Sequence, residues 1–328
     1  MNKRRLGKTN FYVSEIGLGT WQLGGKWGEP FKNDVAQATL EAALKHGVNF
    51  YDTADVYNGG ASEAALGEFK TKHINDDIII ATKAGRKLNP HIAKSYTEEN
   101  ITAFVKASIA RLQVESLDLL QLHCPPTPVY DSEETYAFLD RLVQKGLIKH
   151  YGVSVETVIE AKNAMKHPHL ATIQIIFNMF RLKPMEEIFE LAKQNDVGII
   201  VRVPLASGLL SGKMTKETVF SKDDHRFYNR DGHAFDKGET FSGVDYELGL
   251  KAVEELKKLF PNQNLSQIAL RYILMFDAVS CVIPGASKPE HILSNIESAS
   301  LPPLSEAEMA SVKRIYDTYI RKSVHHLW

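Results

Sequence analysis

Four side chains with complementary proton chemistry stand where apolar runs of the sequence end. Asp52 closes the run 48–51, and Tyr57 follows it in Asn49-Phe50-Tyr51-Asp52-Thr53-Ala54-Asp55-Val56-Tyr57. Lys83 closes Ile78-Ile79-Ile80-Ala81-Thr82, and His123 closes the run 117–122. A phenol has an unperturbed pKa of about 10, so it is a poor proton donor near pH 7 unless a cation stabilises the phenolate. Lys83 can be that cation, and Asp52 the counter-ion that a desolvated ammonium requires. His123 can orient a carbonyl oxygen or share the proton relay. The set suits protonation of an oxygen as hydride arrives at its carbon. Each residue alone has a plainer reading: a loop carboxylate or cap, a packing aromatic, a solvated charge, and a satisfied histidine ahead of Cys124-Pro125-Pro126. Their joint placement at strand ends is what argues for chemistry.

The elements that must position these groups follow a regular alternation. A short hairpin, 4–6 with 11–13 around Gly7-Lys8-Thr9-Asn10, opens the chain. Strands are expected over 16–20, 48–51, 78–82, 117–122, 148–153, 172–176, 197–201 and 279–283. Helices are expected over 34–46 (capped by Asn33 or Asp34 and stopped by Gly47), 62–72, 97–112, 132–145, 156–166, 184–194, 246–259, 265–275 and 289–298. Eight strand-then-helix units predict an α/β fold, a closed parallel (β/α)8 TIM barrel, in a single domain over 1–328. The rival, an open doubly wound sheet, has only Gly17-Leu18-Gly19-Thr20-Trp21-Gln22 as a phosphate fingerprint, and Gln22 stands where the third glycine is needed. In a barrel the C-terminal strand ends converge on one mouth. Besides the four residues above, these ends carry Ser154, Gln174 or Asn178, and Arg202. The long segment 204–242 after the seventh strand, too polar for a core, reads as a mobile lid or binding loop.

Composition narrows the function classes. Of 328 residues, 44% are hydrophobic and 24% charged, an ordinary globular balance. Lys and Arg number 39 against 40 Asp and Glu, so nothing draws the chain to nucleic acid or an anionic membrane, and the expected partners are small molecules. Cys124 and Cys281 lie far apart and give neither a disulfide framework nor metal spacing; His325-His326 is too isolated for a metal site. Lys3-Arg4-Arg5 is followed by Gly7-Lys8-Thr9-Asn10 rather than an apolar core, so no export signal is read and a cytoplasmic location is expected. No apolar run approaches the roughly 20 residues that span a bilayer. A metal-dependent or phosphate-ester barrel enzyme is disfavoured because the strand ends supply no cluster of carboxylates and histidines.

The chain resembles the aldo-keto reductase superfamily from the opening hairpin to about Ser300. The resemblance is carried by 47–57, by Ile80-Ala81-Thr82-Lys83, by Leu119-Leu120-Gln121-Leu122-His123, by Gly152-Val153-Ser154 and by Ile283-Pro284-Gly285-Ala286-Ser287. It implies a barrel in which Asp52, Tyr57, Lys83 and His123 form the catalytic tetrad, with Tyr57 as proton donor and an extended nicotinamide cofactor. By the same resemblance, Ser154 and Gln174 hold the carboxamide, and Asp52, Thr20 and Trp21 lie near the nicotinamide end. Pro204, Leu205, Ser207, Gly208, Leu209, Ser211 and Lys213 run along the pyrophosphate. Gly285, Ala286, Ser287, Lys288, His291 and Asn295 surround the adenosine. Arg202 stands where many relatives place an aromatic against the nicotinamide; a guanidinium plane can stack there but adds charge. Lys288 can pair a 2′-phosphate, which favours NADP(H) over NAD(H), although His291 and Ser294 replace an arginine and an acid common in NADP-using relatives. Trp21, Tyr57 and His123 are expected to meet the substrate, and Trp27 and Trp328 are further aromatics for its mouth. The implied function is interconversion of aldehydes or ketones, sugars included, with alcohols. The alternative is a cofactor-binding regulatory protein like the potassium-channel β subunits of that superfamily. Oligomeric state is not legible.

Overall fold

Strands whose residues are buried on both faces call for cover on both sides, and a closed parallel barrel wrapped in helices provides it. In the structure, a computed structural model describing residues 1–25 and 29–328, this is the arrangement. Trp27 lies outside the described residues. An antiparallel hairpin, β1 (Lys3–Arg5) and β2 (Tyr12–Ser14), precedes eight parallel strands. These are β3 (Leu18–Gly19), β4 (Phe50–Asp52), β5 (Ile79–Ala84), β6 (Leu117–His123), β7 (Ile148–Ser154), β8 (Thr172–Ile176), β9 (Gly198–Arg202) and β10 (Val279–Val282). They pair in sequence order, and parallel bridges from Ile16 to Val282 and from Gly19 to Gly285 join the first strand to the last. The (β/α)8 barrel is thereby closed.

The helices are α1 (Asn33–Lys45), α2 (Ala61–Lys72), α3 (Glu98–Leu112), α4 (Glu133–Gln144), α5 (Val158–Ala164), α6 (Lys183–Glu187), α7 (Phe189–Gln194), α8 (His225–Tyr228), α9 (Tyr246–Leu259), α10 (Leu265–Leu274), α11 (Pro289–Glu297), α12 (Glu306–Ile315) and α13 (Arg321–Val324). Several start where a side chain satisfies the first amides. Thr97 accepts from Asn100 N, Ser132 from Thr135 N, and Thr157 forms a reciprocal capping box with Glu160. Leu6, Val13, Phe50, Ile79, Ala81, Leu119, Ile200, Cys281 and Ile283 form one apolar cluster, in which the hairpin packs against barrel strands. A larger cluster lies between strands and helices. Arg4 ties the hairpin down, donating to the carbonyls of Leu274, Phe276 and Val279.

Four expectations need correction. The first barrel strand is two residues long rather than five, Ile16 contributing only an isolated bridge, as suits a run interrupted by two glycines that weaken a strand. Helix α1 begins after Lys32 with no side-chain cap, so neither Asn33 nor Asp34 serves as one. The helix expected over 184–194 is two short helices parted at Ile188. The polar segment 204–242 contributes to the interior, burying Phe220, His225, Asn229, Glu239 and Phe241. Among the described residues, no helix is long and apolar enough to cross a membrane.

Candidate active site

The C-terminal strand ends open into a cleft of about 960 Å3. Strand β4 delivers Asp52, whose carbonyl accepts from both the amide and the hydroxyl of Thr20 at 2.9 Å. The chain then turns outward and brings Tyr57 to the start of a tight turn. Asn58, Gly59 and Gly60 all have positive φ there, which the two glycines adopt without strain. Strand β5 delivers Lys83 beside them. Its ammonium lies 2.5 Å from Asp52 Oδ1, donates to the Thr53 carbonyl at 2.9 Å and reaches Tyr57 Oη at 3.2 Å. Lys83 and Asp52 are 1% and 3% exposed, whereas Tyr57 is partly open to the cleft. Strand β6 delivers His123, whose ring meets Tyr57 edge-on at 6.0 Å. The structure thus brings together the four groups singled out in the sequence.

Electrostatics prepare them differently. Burial raises the Tyr57 pKa and Lys83 opposes it, so the phenol keeps its proton at neutral pH while the phenolate has a cation in reach. Burial works against the Lys83 charge, but Asp52 and Tyr57 more than offset it and the ammonium is retained. Burial, followed by Arg86, Lys83 and Arg202, pushes His123 well below its ordinary pKa. It is a neutral imidazole, and its Nδ1 has no hydrogen-bond partner.

Around this centre the other expected residues fall in several places. Gln174 lines the cleft and donates to Asp52 Oδ2 at 2.7 Å, with Gln121 adding a bond at 3.3 Å. Ser154 pairs with His123 across the sheet and is buried, its hydroxyl 3.3 Å from Cys124 Sγ. Thr20, Trp21, Pro204, Leu205, Ser207, Gly208 and Gly285 line the cleft. Leu209 packs its side chain inward against Gly249. Ser211 and Lys213 line a separate cavity of about 400 Å3 with Lys257. Ala286 is buried, Asn295 donates to the Gly285 carbonyl at 3.5 Å, and Ser287 Oγ is 3.2 Å from His291 Nδ1. Lys288 is exposed, 3.8 Å from Glu290. Trp328 is not on the cleft wall: it is buried with Arg181 stacked 4.0 Å from its ring centroid.

Sequence reasoning missed a second charged cluster and an aromatic wall. Arg86 Nη2 donates to Glu239 Oε1 at 2.9 Å, and Arg202 pairs with Glu156 at 2.9 Å and with Glu239 at 3.5 Å. Arg86, Arg202 and Glu239 all line the cleft. Cys124, Glu156 and Glu239 place ligand-type atoms within 4.8 Å of one another. Arg202 Nη2 already lies 3.5 Å from that sulfur and supplies a cation there. Arg202 is therefore held in an ionic network rather than left free as a stacking plane. Also on the cleft, Trp21 sits 5.1 Å from His225 and 6.4 Å from Phe235. Arg86 had a signal in the sequence, three residues beyond Lys83 and just past the end of β5. Glu239 and His225 had none, lying in a polar segment with no period. Val203, on the cleft wall, holds a φ of 51°, an outlier for a β-branched residue that marks a constrained backbone.

A model of the aldo/keto reductase family matches residues 15–317. YqkF, an uncharacterized oxidoreductase of Bacillus subtilis (strain 168), is 31% identical over 316 residues, covering 95% of this chain and 96% of that protein. Among solved structures, the holo form of an aldo-keto reductase from Bacillus halodurans is similar with a TM-score of 0.77 and 28% identity, covering 96% of each chain. A glycerol dehydrogenase from Gluconobacter oxydans is similar with the same TM-score and 28% identity, covering 99% of this chain and 96% of that one. With the family model spanning nearly the whole sequence and a full-length relative above 30% identity, the chain belongs to the aldo/keto reductase family of NAD(P)(H)-dependent carbonyl oxidoreductases.

Proposed function

We propose that this chain reduces aldehydes or ketones to alcohols, and catalyses the reverse reaction, with Tyr57 as the proton donor and NADP(H) preferred over NAD(H). The observation that carries the reading is the buried Asp52–Lys83 pair with Lys83 Nζ 3.2 Å from Tyr57 Oη, on the wall of the cleft that also holds His123.

The residues present fit a dinucleotide. The cleft runs from Trp21 and His123 to Gly285, and Ala206, Ser207 and Gly208 are in the left-handed region, forming a tight turn beside it in which the Ala206 and Gly208 amides bond back to the carbonyls of Val203 and Leu205. His123 Nδ1 and Arg202 Nε are buried donors or acceptors without partners. The nicotinamide end would lie against Gln174 and Asp52, the pyrophosphate along 204–208, and the adenosine beyond Gly285. The exposed, loosely paired Lys288 is the cation offered to a 2′-phosphate. When bound, the nicotinamide supplies or accepts the hydride.

The chain's own residues do the rest. His123, held neutral, offers an imidazole N–H that places the carbonyl oxygen. Tyr57 holds its proton against solvent because burial disfavours phenolate, and gives it up when a strongly basic alkoxide oxygen forms beside it. Lys83 stabilises the phenolate left behind, and Asp52 keeps Lys83 charged. Polyhydroxylated carbonyls belong in the substrate range on the likeness to a glycerol dehydrogenase. A cytoplasmic location is supported by two free, buried cysteines.

The test follows absorbance at the nicotinamide band, with NADPH and NADH separately, against aldehydes, ketones and sugars. Tyr57→Phe should lower kcat/KM for carbonyl reduction by about 10²–10⁴-fold, the usual value of positioned acid catalysis, with cofactor affinity retained. Near-normal reduction by this variant would remove Tyr57 from the role. Cofactor binding without turnover of any carbonyl would favour a regulatory protein instead.

A further inference from the structure

The tetrad leaves the second charged cluster of the same wall unexplained. Arg86 has five N–H donors. It spends Nη2 on Glu239 at 2.9 Å, while Nε and Nη1 find no acceptor among the described residues. Its side chain is 26% exposed, and it lines the cleft beside His123 and Tyr57. Arg202 lies behind it, paired to Glu156 and Glu239, with its buried Nε unpartnered. Burial raises the Glu156 pKa, and Arg202 beside it opposes that rise. For Glu239 the same burial is outweighed by Arg86 and Arg202, and it stays ionised. Both guanidiniums share Glu239, and Arg86, on the cleft wall, keeps the unused donors. The Arg86 charge is felt at the reaction centre, where after burial the cations Arg86, Lys83 and Arg202 hold His123 neutral. Asp52 is taken up by Lys83, and Glu29 and Asp223 are exposed, where water and salt screen them.

We propose that Arg86, backed by Arg202, is an anion subsite of the cleft, and that the preferred substrates are aldehydes or ketones that carry a carboxylate. A guanidinium fork matches the two oxygens of a carboxylate. The inference rests on the reading of this cleft as a carbonyl-reducing site.

The test compares kcat/KM for matched pairs, glyoxylate with glycolaldehyde and succinic semialdehyde with 4-hydroxybutanal, in the wild type and in Arg86→Gln and Arg86→Lys. The acid is expected to be preferred over its neutral partner by about 10- to 100-fold, the factor that one or two charge-assisted hydrogen bonds supply. That ratio should collapse toward one in Arg86→Gln and recover in part in Arg86→Lys, which keeps the charge without the fork. Equal or reversed preference in the wild type overturns the proposal without recourse to a variant. A ratio unchanged in a folded Arg86→Gln protein also overturns it. Propanoate binding to the NADPH-loaded protein, followed by tryptophan fluorescence, separates the two readings. If no carbonyl turns over but propanoate binds and Arg86→Gln abolishes it, the subsite stands and the reaction reading falls. If carbonyls turn over and propanoate does not bind, the subsite falls alone.

Discussion

Asp52 and Lys83 have structural and chemical duties that substitution can separate. Lys83 is enclosed, and among the described residues its ammonium bonds to Asp52, the Thr53 carbonyl and Tyr57. Asp52→Asn removes the one negative charge in that set and strands a buried cation, which costs about 3–5 kcal/mol. The denaturation midpoint should fall accordingly, with an unchanged dependence on denaturant. Adding Lys83→Met to the same protein should restore much of the stability, because it removes the stranded buried charge. Carbonyl reduction should stay lost in both. Stability that does not recover in the double variant would show that the pair is not the source of the cost. These residues were legible because each interrupts an apolar run at its C-terminal end, where a barrel gathers side chains. Glu239 was not, since its meaning comes from pairing with Arg86 and Arg202 across segments with no common sequence pattern.

The segment between β9 and α9 shows why an element without period is hard to read. Polar side chains, not an apolar stripe, hold it. Asn229 is buried and accepts from the amides of Ala234 and Phe235, while its own amide donates to Thr240. Asn178 reaches across from the end of β8 to Ser242 at 2.8 Å, and Ser207 ties to Glu239 and Phe241. Helix α8 opens here with Asp224 as its cap and presents His225 to Trp21. Burial holds His225 down to about 4, against about 6.5 in an unfolded chain. The unfolded segment therefore binds more protons than the folded one between these values. The contribution of His225 is complete above about pH 6.5 and is lost as pH falls toward 4, by up to about 3 kcal/mol. Tryptophan fluorescence should show a transition in that window that Trp21→Phe removes. Hydrogen exchange over 224–235 should accelerate across the same range. Flat fluorescence and exchange between pH 7 and 4.5 would exclude the coupling.

At the scale of the whole molecule, the barrel was legible because eight strand-helix units repeat, and its closure by Ile16–Val282 and Gly19–Gly285 needs only backbone. The chain beyond residue 300 carries no strand signal, yet it returns to the site. Helices α12 and α13 lead to Trp328, which is buried. Its indole lies where a side chain at Gly238 or Gly243 would collide with it, and Arg181 covers it at 4.0 Å. Arg181 in turn donates to the Glu156 carbonyl. The indole therefore supports the two backbone segments that carry Glu239 and Glu156, and through them the positions of Arg86 and Arg202. Trp328→Ala removes a large buried ring and a cation–π contact, and should cost about 3 kcal/mol, at the lower end of aromatic truncations because the site is near the surface. If the support is as described, the substitution should also raise KM for carbonyl substrates more than it lowers kcat, since Tyr57, Lys83, Asp52 and His123 are carried by other strands. Trp328→Phe, which keeps an aromatic face for Arg181, should restore most of both. A loss of stability with KM unchanged would confine Trp328 to packing and disconnect it from the charged wall of the cleft.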